Sequence, residues 1–185
     1  MENFLYIETI NQKRQTEIAN IKKCNEYTSK YGLTLSDKQI SNILERKKDV
    51  LKDTGRIELR EGIIDKIIKK FCDSPYITKE NYETILNELI EIFYRYKNET
   101  MDLISDDELI EFMKKSFNGI AQGDLEYLYG TIMYQMRENL IKGKSLDYSE
   151  KEIEDYEWYW WYKQNKKRKY RWKKLFFNSD RGGIF

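Results

Sequence analysis

The sequence predicts an all-α fold: a compact multi-helix bundle over residues 1–143, with a C-terminal appendage over 144–185. Three observations carry that prediction. Apolar residues recur at three- and four-residue steps along most of the chain up to Ile141, the period of helices that bury one face. Helix-start signals of the form Ser-x-x-Gln or Ser-x-x-Glu stand at Ser36, Ser105 and Ser149. Pro75 is the only proline in 185 residues, so long helices meet almost no interruption. With 40% hydrophobic and 35% charged residues, the chain supports one modest core under solvated helix faces.

The elements follow in order. Ile18, Ile21, Cys24, Tyr27 and Tyr31 make a loose first stripe, which Gly32 stops because glycine tolerates positive φ. Ser36 and Gln39 form a capping box that opens a helix carrying Ile40, Ile43, Leu44, Val50 and Leu51, and Gly55 ends it. Arg56-Ile57-Glu58-Leu59-Arg60 alternates like a strand, but no second strand lies nearby, so it reads as an extended connector. Ile63, Ile64, Ile67, Ile68 and Phe71 define a short helix broken by Asp73-Ser74-Pro75. Thr78 is the expected cap of the clearest helix, with Tyr82, Ile85, Leu86, Leu89, Ile90 and Phe93 on one face. Ser105 and Glu108 open a helix with Leu109, Ile110, Phe112 and Met113, closed by Asn118-Gly119. Asp124 caps the next, with Leu125, Leu128, Ile132, Met136 and Leu140 inward, and Gly143 ends the bundle.

The appendage has a character of its own. Ser149-Glu150-Lys151-Glu152 is a third capping box, and acidic first turns with basic last turns suit the helix dipole, so a basic-aromatic helix is the first reading. Tyr156, Trp158, Trp160 and Tyr162 also alternate, as do Tyr170 and Trp172, which leaves a β-hairpin as the alternative. All four tryptophans fall between Trp158 and Trp172. From Lys163 onward nine basic residues face one acidic residue, a net charge of +8, while the residues before Lys163 carry 24 basic and 31 acidic side chains, a net of −7. The sequence thus reads as a cationic, aromatic end on an acidic body.

Composition also excludes chemistry. With no histidine, neither Ser-His-Asp nor Cys-His nucleophile systems can be built, and zinc sites that need histidine are excluded. No glycine cluster matches a dinucleotide or phosphate loop. Cys24 and Cys72 lack metal-site spacing and read as buried free thiols of a reducing cytoplasm. Residues 1–31 lack a basic start followed by an apolar block, and no stretch approaches the roughly 20 apolar residues of a membrane span. The expected localisation is cytoplasmic, with no cofactor, no metal and no catalytic residue assigned.

With these segments placed, the chain resembles a family of small bacterial proteins that share a domain of unknown function. The resemblance rests on Tyr31-Gly32-Leu33-Thr34-Leu35-Ser36, Thr54-Gly55-Arg56-Ile57-Glu58, Phe71-Cys72-Asp73-Ser74-Pro75-Tyr76-Ile77, Asp106-Asp107-Glu108-Leu109-Ile110-Glu111-Phe112-Met113 and Asp124-Leu125-Glu126-Tyr127-Leu128. It covers residues 14–141 and implies no activity, ligand or site residue. The basic aromatic tail lies outside the shared pattern.

Two acidic groups deserve weighing. Asp102, Asp106, Asp107, Glu108 and Glu111 supply the oxygens a hard cation wants, but lack EF-hand spacing, and capping plus the helix dipole account for them. Glu88 and Glu91, with Glu99, offer a carboxylate pair that reads more simply as exposed helix charge. The tail is the stronger candidate. Lys163, Lys166, Lys167, Arg168, Lys169, Arg171, Lys173 and Lys174 suit phosphates, and Tyr170 and Trp172 add stacking surfaces. The expected function is a non-catalytic binding protein whose tail engages nucleic acid or another polyanion. The alternatives are a protein-interaction adaptor, with the tail packed on the body or on a partner, and a weak binder of anionic membrane surfaces through the lysines and Leu175-Phe176-Phe177.

Overall fold

The computed structural model describes residues 2–58 and 62–144, with side chains from Gln12 onward. Helix α1 (Glu2–Thr28) runs into a 3-10 turn (Ser29–Tyr31), followed by α2 (Asp37–Asp53), α3 (Ile63–Phe71), α4 (Tyr82–Glu99) and α5 (Asp106–Asn118). Helix α6 (Leu125–Tyr127) passes through a π-helical turn (Leu128–Ile132) into α7 (Met133–Ile141). No strand occurs among the described residues, and the fold is a compact all-α bundle. The C-terminal helix or hairpin expected beyond residue 144 lies outside the described residues.

Local signals set the helix ends. Ser36 accepts from the Gln39 N–H, and the Ser36 N–H donates to Gln39 Oε1 at 2.9 Å, a complete capping box. Ser105 and Glu108 repeat it at α5, with the Ser105 N–H donating to Glu108 Oε2 at 3.0 Å. Asp124 Oδ1 accepts from the Glu126 and Tyr127 N–H groups at 3.0 Å each. Gly32 turns the chain at φ 74°, and Asn25 then clamps the Leu35 backbone from both sides at 2.8 Å. Thr28 donates to the Leu33 carbonyl at 2.8 Å, so Leu33 and Leu35 are pinned inward as plugs on α1. Gly123, at φ 81°, leaves room for the Tyr76 ring, which a Cβ would meet at 2.7 Å.

Helix α4 is the central post. It packs against α2, α3, α5 and the α6–α7 segment, while α3 bridges α1 and α5. The expected face of α4 is fully buried, and so are Ile92, Tyr94, Tyr96 and Lys97, because neighbours cover more than one side. The π turn widens the helix and frees the Tyr129 carbonyl, which accepts the Tyr96 hydroxyl at 2.5 Å; the two rings meet edge to face at 5.6 Å.

Three local expectations shift. On α1 the inward stripe is Ile21, Cys24 and Thr28, whereas Tyr27 and Tyr31 face solvent, with the Lys30 ammonium 3.8 Å from the Tyr27 ring. Helix α4 starts at Tyr82 rather than directly after Thr78. Residues 79–81 form a turn in which Asn81 accepts from the Thr78 N–H and donates to the Tyr76 carbonyl. Leu51, Phe112, Leu125 and Leu140 are only half-buried, because each sits at the margin of its stripe.

Phe71 and Leu89 are fully enclosed where α3 and α4 meet the rest of the bundle. Phe71→Ala or Leu89→Ala is expected to cost about 2–5 kcal/mol in denaturant unfolding. A loss below about 1 kcal/mol at both positions would show that these faces do not form the core.

Candidate functional site

The predicted polyanion residues, Lys163, Lys166, Lys167, Arg168, Lys169, Tyr170, Arg171, Trp172, Lys173 and Lys174, lie outside the described residues. Residues 1–144 carry 23 basic and 25 acidic side chains, whereas residues 145–162 carry one basic and six acidic. The acidity is therefore concentrated just before the basic run, and the helical body is close to neutral.

Many of the body's charges are paired within it. The acidic group on and before α5, weighed above as a cation site, is taken up by several cationic partners and by the helix cap. Asp102 accepts from Arg56, Asp106 from Lys97, Asp107 from Lys66 at 2.7 Å, and Glu111 from Lys70, while Glu108 caps its own helix. Lys97 also stands 3.5 Å from Asp102, so one ammonium serves both Asp102 and Asp106, and among the described residues no group of three or more acidic or cysteine side chains is placed to hold a metal ion. Glu91 is likewise committed to Arg46 and Arg95, and Glu99 to Arg137.

The densest charge cluster is one that sequence reasoning missed. Lys47, only 7% exposed, reaches from α2 to both Glu17 on α1 and Glu58 in the connector. Tyr94 on α4 donates to Glu58 Oε1 at 2.6 Å, and Lys13 donates to the Glu58 carbonyl at 3.3 Å. One ammonium thus joins three segments, and Tyr94 adds a fourth. Lys97 does similar work nearby. Its ammonium donates to the Ile104 carbonyl and pairs with Asp106 at 2.9 Å, fixing the loop between α4 and α5. Arg56 grips Asp102 of that loop with both guanidinium arms, at 2.9 and 3.3 Å.

The clamp inverts the connector. The alternation at residues 56–58 is real, but Glu58 is the buried member and Ile57 is 84% exposed. Residues 56–58 are neither helix nor strand, as expected of a connector, and Leu59 and Arg60 lie outside the described residues.

Burial and charge partners shift several of the buried titratable groups. Burial alone would lower Lys47, but its hydrogen bonds to Glu17 and Glu58 outweigh that and hold the ammonium above the ordinary lysine value. Burial, reinforced by Glu58, pushes the Tyr94 hydroxyl far above the ordinary tyrosine value. Burial pushes the Cys24 thiol up to about 11 and raises Cys72 as well. A reactive lysine or cysteine needs the opposite shift. Both cysteines are free and buried, as the sequence predicted.

The span that the resemblance covered is now accounted for as structure: the Gly32 turn, the clamp at Glu58, the Asp73–Lys114 pair at 2.5 Å, the capping box at Ser105 and the cap at Asp124. A family of unknown function, DUF6323, has a model that matches residues 20–146, more than half of the chain. The chain belongs to that family. The DUF6323 match stops before the aromatic and basic run. No curated protein and no solved structure matches the chain. Among the described residues, no helix is long and apolar enough to cross a membrane.

A signal for the missed cluster was present. Lys47 falls four residues after Ile43 and three before Val50, on the buried stripe of α2, and Lys97 falls four after Phe93 on α4. A lysine in such a place requires a buried anion. The pairing partners, distant in sequence, carry no local mark.

Asp65 lies beside this cluster. Burial raises its carboxyl above the ordinary value and Glu17 adds to that, while Lys69 and Lys47 pull it down. A carboxyl with a raised folded value stabilises the fold fully below its unfolded value, about pH 4, and that contribution is lost as pH rises through the folded value. Asp65→Asn is therefore expected to raise the melting temperature at neutral pH and to leave it unchanged well below about pH 4. Melting curves at the two pH values check this; an equal or lower melting temperature at neutral pH would contradict it.

Proposed function

We propose that this member of DUF6323 is a non-catalytic binding protein of the bacterial cytoplasm. On this reading its tail, Lys163 to Lys174, engages nucleic acid or a similar polyanion. The observation that carries the reading is the surplus of eight positive charges after Tyr162, interleaved with Tyr170 and Trp172. The body supports it indirectly. Lys22, Lys47, Lys66, Lys70, Lys97 and Lys114, with Arg14, Arg46, Arg56, Arg95 and Arg137, are all engaged by carboxylates. Those side chains are occupied, and the densest run of basic residues in the sequence is Lys163 to Lys174. The two buried thiols suit a reducing compartment. The non-catalytic reading is supported by the direction in which Lys47, Tyr94 and Cys24 are shifted.

Counterion release makes such binding salt-dependent and largely indifferent to sequence. Engagement of about five phosphates gives a log–log slope of roughly −3.5 on single strands and roughly −4.5 on duplex. Changing Lys166, Lys167, Arg168 and Lys169 together to alanine is expected to flatten that slope. Trp172→Ala is expected to weaken single-strand binding more than duplex binding, because stacking needs unpaired bases. Fluorescence anisotropy across a salt series reads both. Preference for anionic vesicles over nucleic acid would transfer the tail to a membrane role. Absence of binding to either at low salt would end the polyanion reading and leave the adaptor reading, which the exposed apolar side chains beside Arg56 and Asp102 favour.

A further inference from the structure

Two loops of the bundle display apolar side chains that its packing does not use. Ile57 in the α2–α3 connector is 84% exposed, and Met101 and Leu103 in the α4–α5 loop are 71% and 58% exposed. Arg56 and Asp102, their immediate neighbours, form a two-armed ion pair, so the three apolar side chains flank one fixed bridge between the loops.

Neither loop is slack. The connector is held by Glu58, whose carboxylate is clamped by Lys47 and Tyr94. That clamp puts a charge inside and Ile57 outside, against the usual preference of both residues. The α4–α5 loop is held by Lys97 and by the buried Ile104. Met101 and Asp102 both sit at left-handed φ, 50° and 59°, a conformation that costs a non-glycine residue energy and marks an over-determined segment. Rigid display of apolar side chains is how an interface lowers its ordering cost.

We propose that this edge of the bundle is a self-association surface, occupied by the same edge of a second copy across a two-fold axis. Its charge argues for that occupant. Arg56 and Asp102 contribute one positive and one negative group, so the patch is its own electrostatic complement when rotated by a half-turn, with Arg56 of each copy facing Asp102 of the other. A polyanion or an anionic membrane would meet the Asp102 carboxylate, which is 56% exposed in the middle of the patch. Three side chains fall well short of the roughly 800 Å² per partner of a standard interface, so the dimer is weak and concentration-dependent. The inference does not rest on the polyanion reading.

Sedimentation equilibrium of the full chain tests it through charge reversal. The wild-type mass is expected to rise from monomer towards dimer with concentration. Ile57→Asp and Leu103→Asp, both at exposed loop positions, are expected to weaken association about tenfold or more while the helical circular dichroism stays unchanged. R56E alone and D102R alone place like charges across the axis and are expected to stay monomeric. An equimolar mixture of the two places opposite charges across the axis at both contacts and is expected to restore a one-to-one heterodimer, although each chain has lost its internal pair. A wild type that stays monomeric at its solubility limit would overturn the proposal. So would association that survives I57D and L103D, or a mixture that associates no better than its components.

Discussion

A single buried ammonium organises this bundle. Lys47 leaves α2 on the face that otherwise carries Ile40, Ile43, Leu44 and Val50, and it is kept charged there by Glu17 and Glu58. Removing two carboxylates and an ammonium from water is costly, and here the ammonium pairs with both carboxylates while Tyr94 donates to the second Glu58 oxygen. The clamp adds a fixed path for the connector. Glu58 is drawn in, Ile57 is turned out, and Arg56 is left to reach Asp102 of the α4–α5 loop. The position of one loop is thereby passed to the other.

The same pattern, charge satisfied within the body, recurs across it. Lysines on α3 answer carboxylates on α5, arginines on α2 and α4 share Glu91, and Lys97 secures the start of α5. Such pairs at the surface contribute little stability each. Their larger consequence is electrostatic: the body is close to neutral, and the strong net charges of the sequence, negative over 145–162 and positive after Tyr162, lie beyond it along the chain. The two candidate surfaces consequently differ in kind. The tail is polycationic, and on the reading proposed above it engages a repetitive polyanion. The Ile57, Met101 and Leu103 edge is neutral, apolar and shape-defined, and suited to a specific protein face.

Most of the fold was legible because its signals are local. The capping boxes at Ser36 and Ser105 and the stripes of α3 and α4 depend on neighbours within a few residues, and each formed where it was read. Errors arose where a tertiary contact chose between near-equivalent local options. Thr28 displaced Tyr27 on the inward face of α1 because its hydroxyl answers the Leu33 carbonyl. Helix α4 begins late because Asn81 is occupied with Tyr76 and Thr78. The ionic clamp was only half visible. The lysine at an inward position announced a buried charge, but Glu17 and Glu58 lie 30 and 11 residues away along the chain, and nothing local distinguishes them from other acids. The alternation at 56–58 was read correctly as extended, yet which residue pointed inward was decided by Lys47 rather than by hydrophobicity.

The central claim is that Lys47 and Glu58 act as one unit that positions the connector. A double-mutant cycle tests it directly, with Lys47→Met, Glu58→Gln and the combined variant compared with wild type by denaturant unfolding. Direct contact predicts a coupling of about 1–3 kcal/mol, with the combined variant less destabilised than the sum of the single changes. A coupling near zero, with additive losses, would mean that Glu58 is not held by Lys47 and that the connector owes its path to something else.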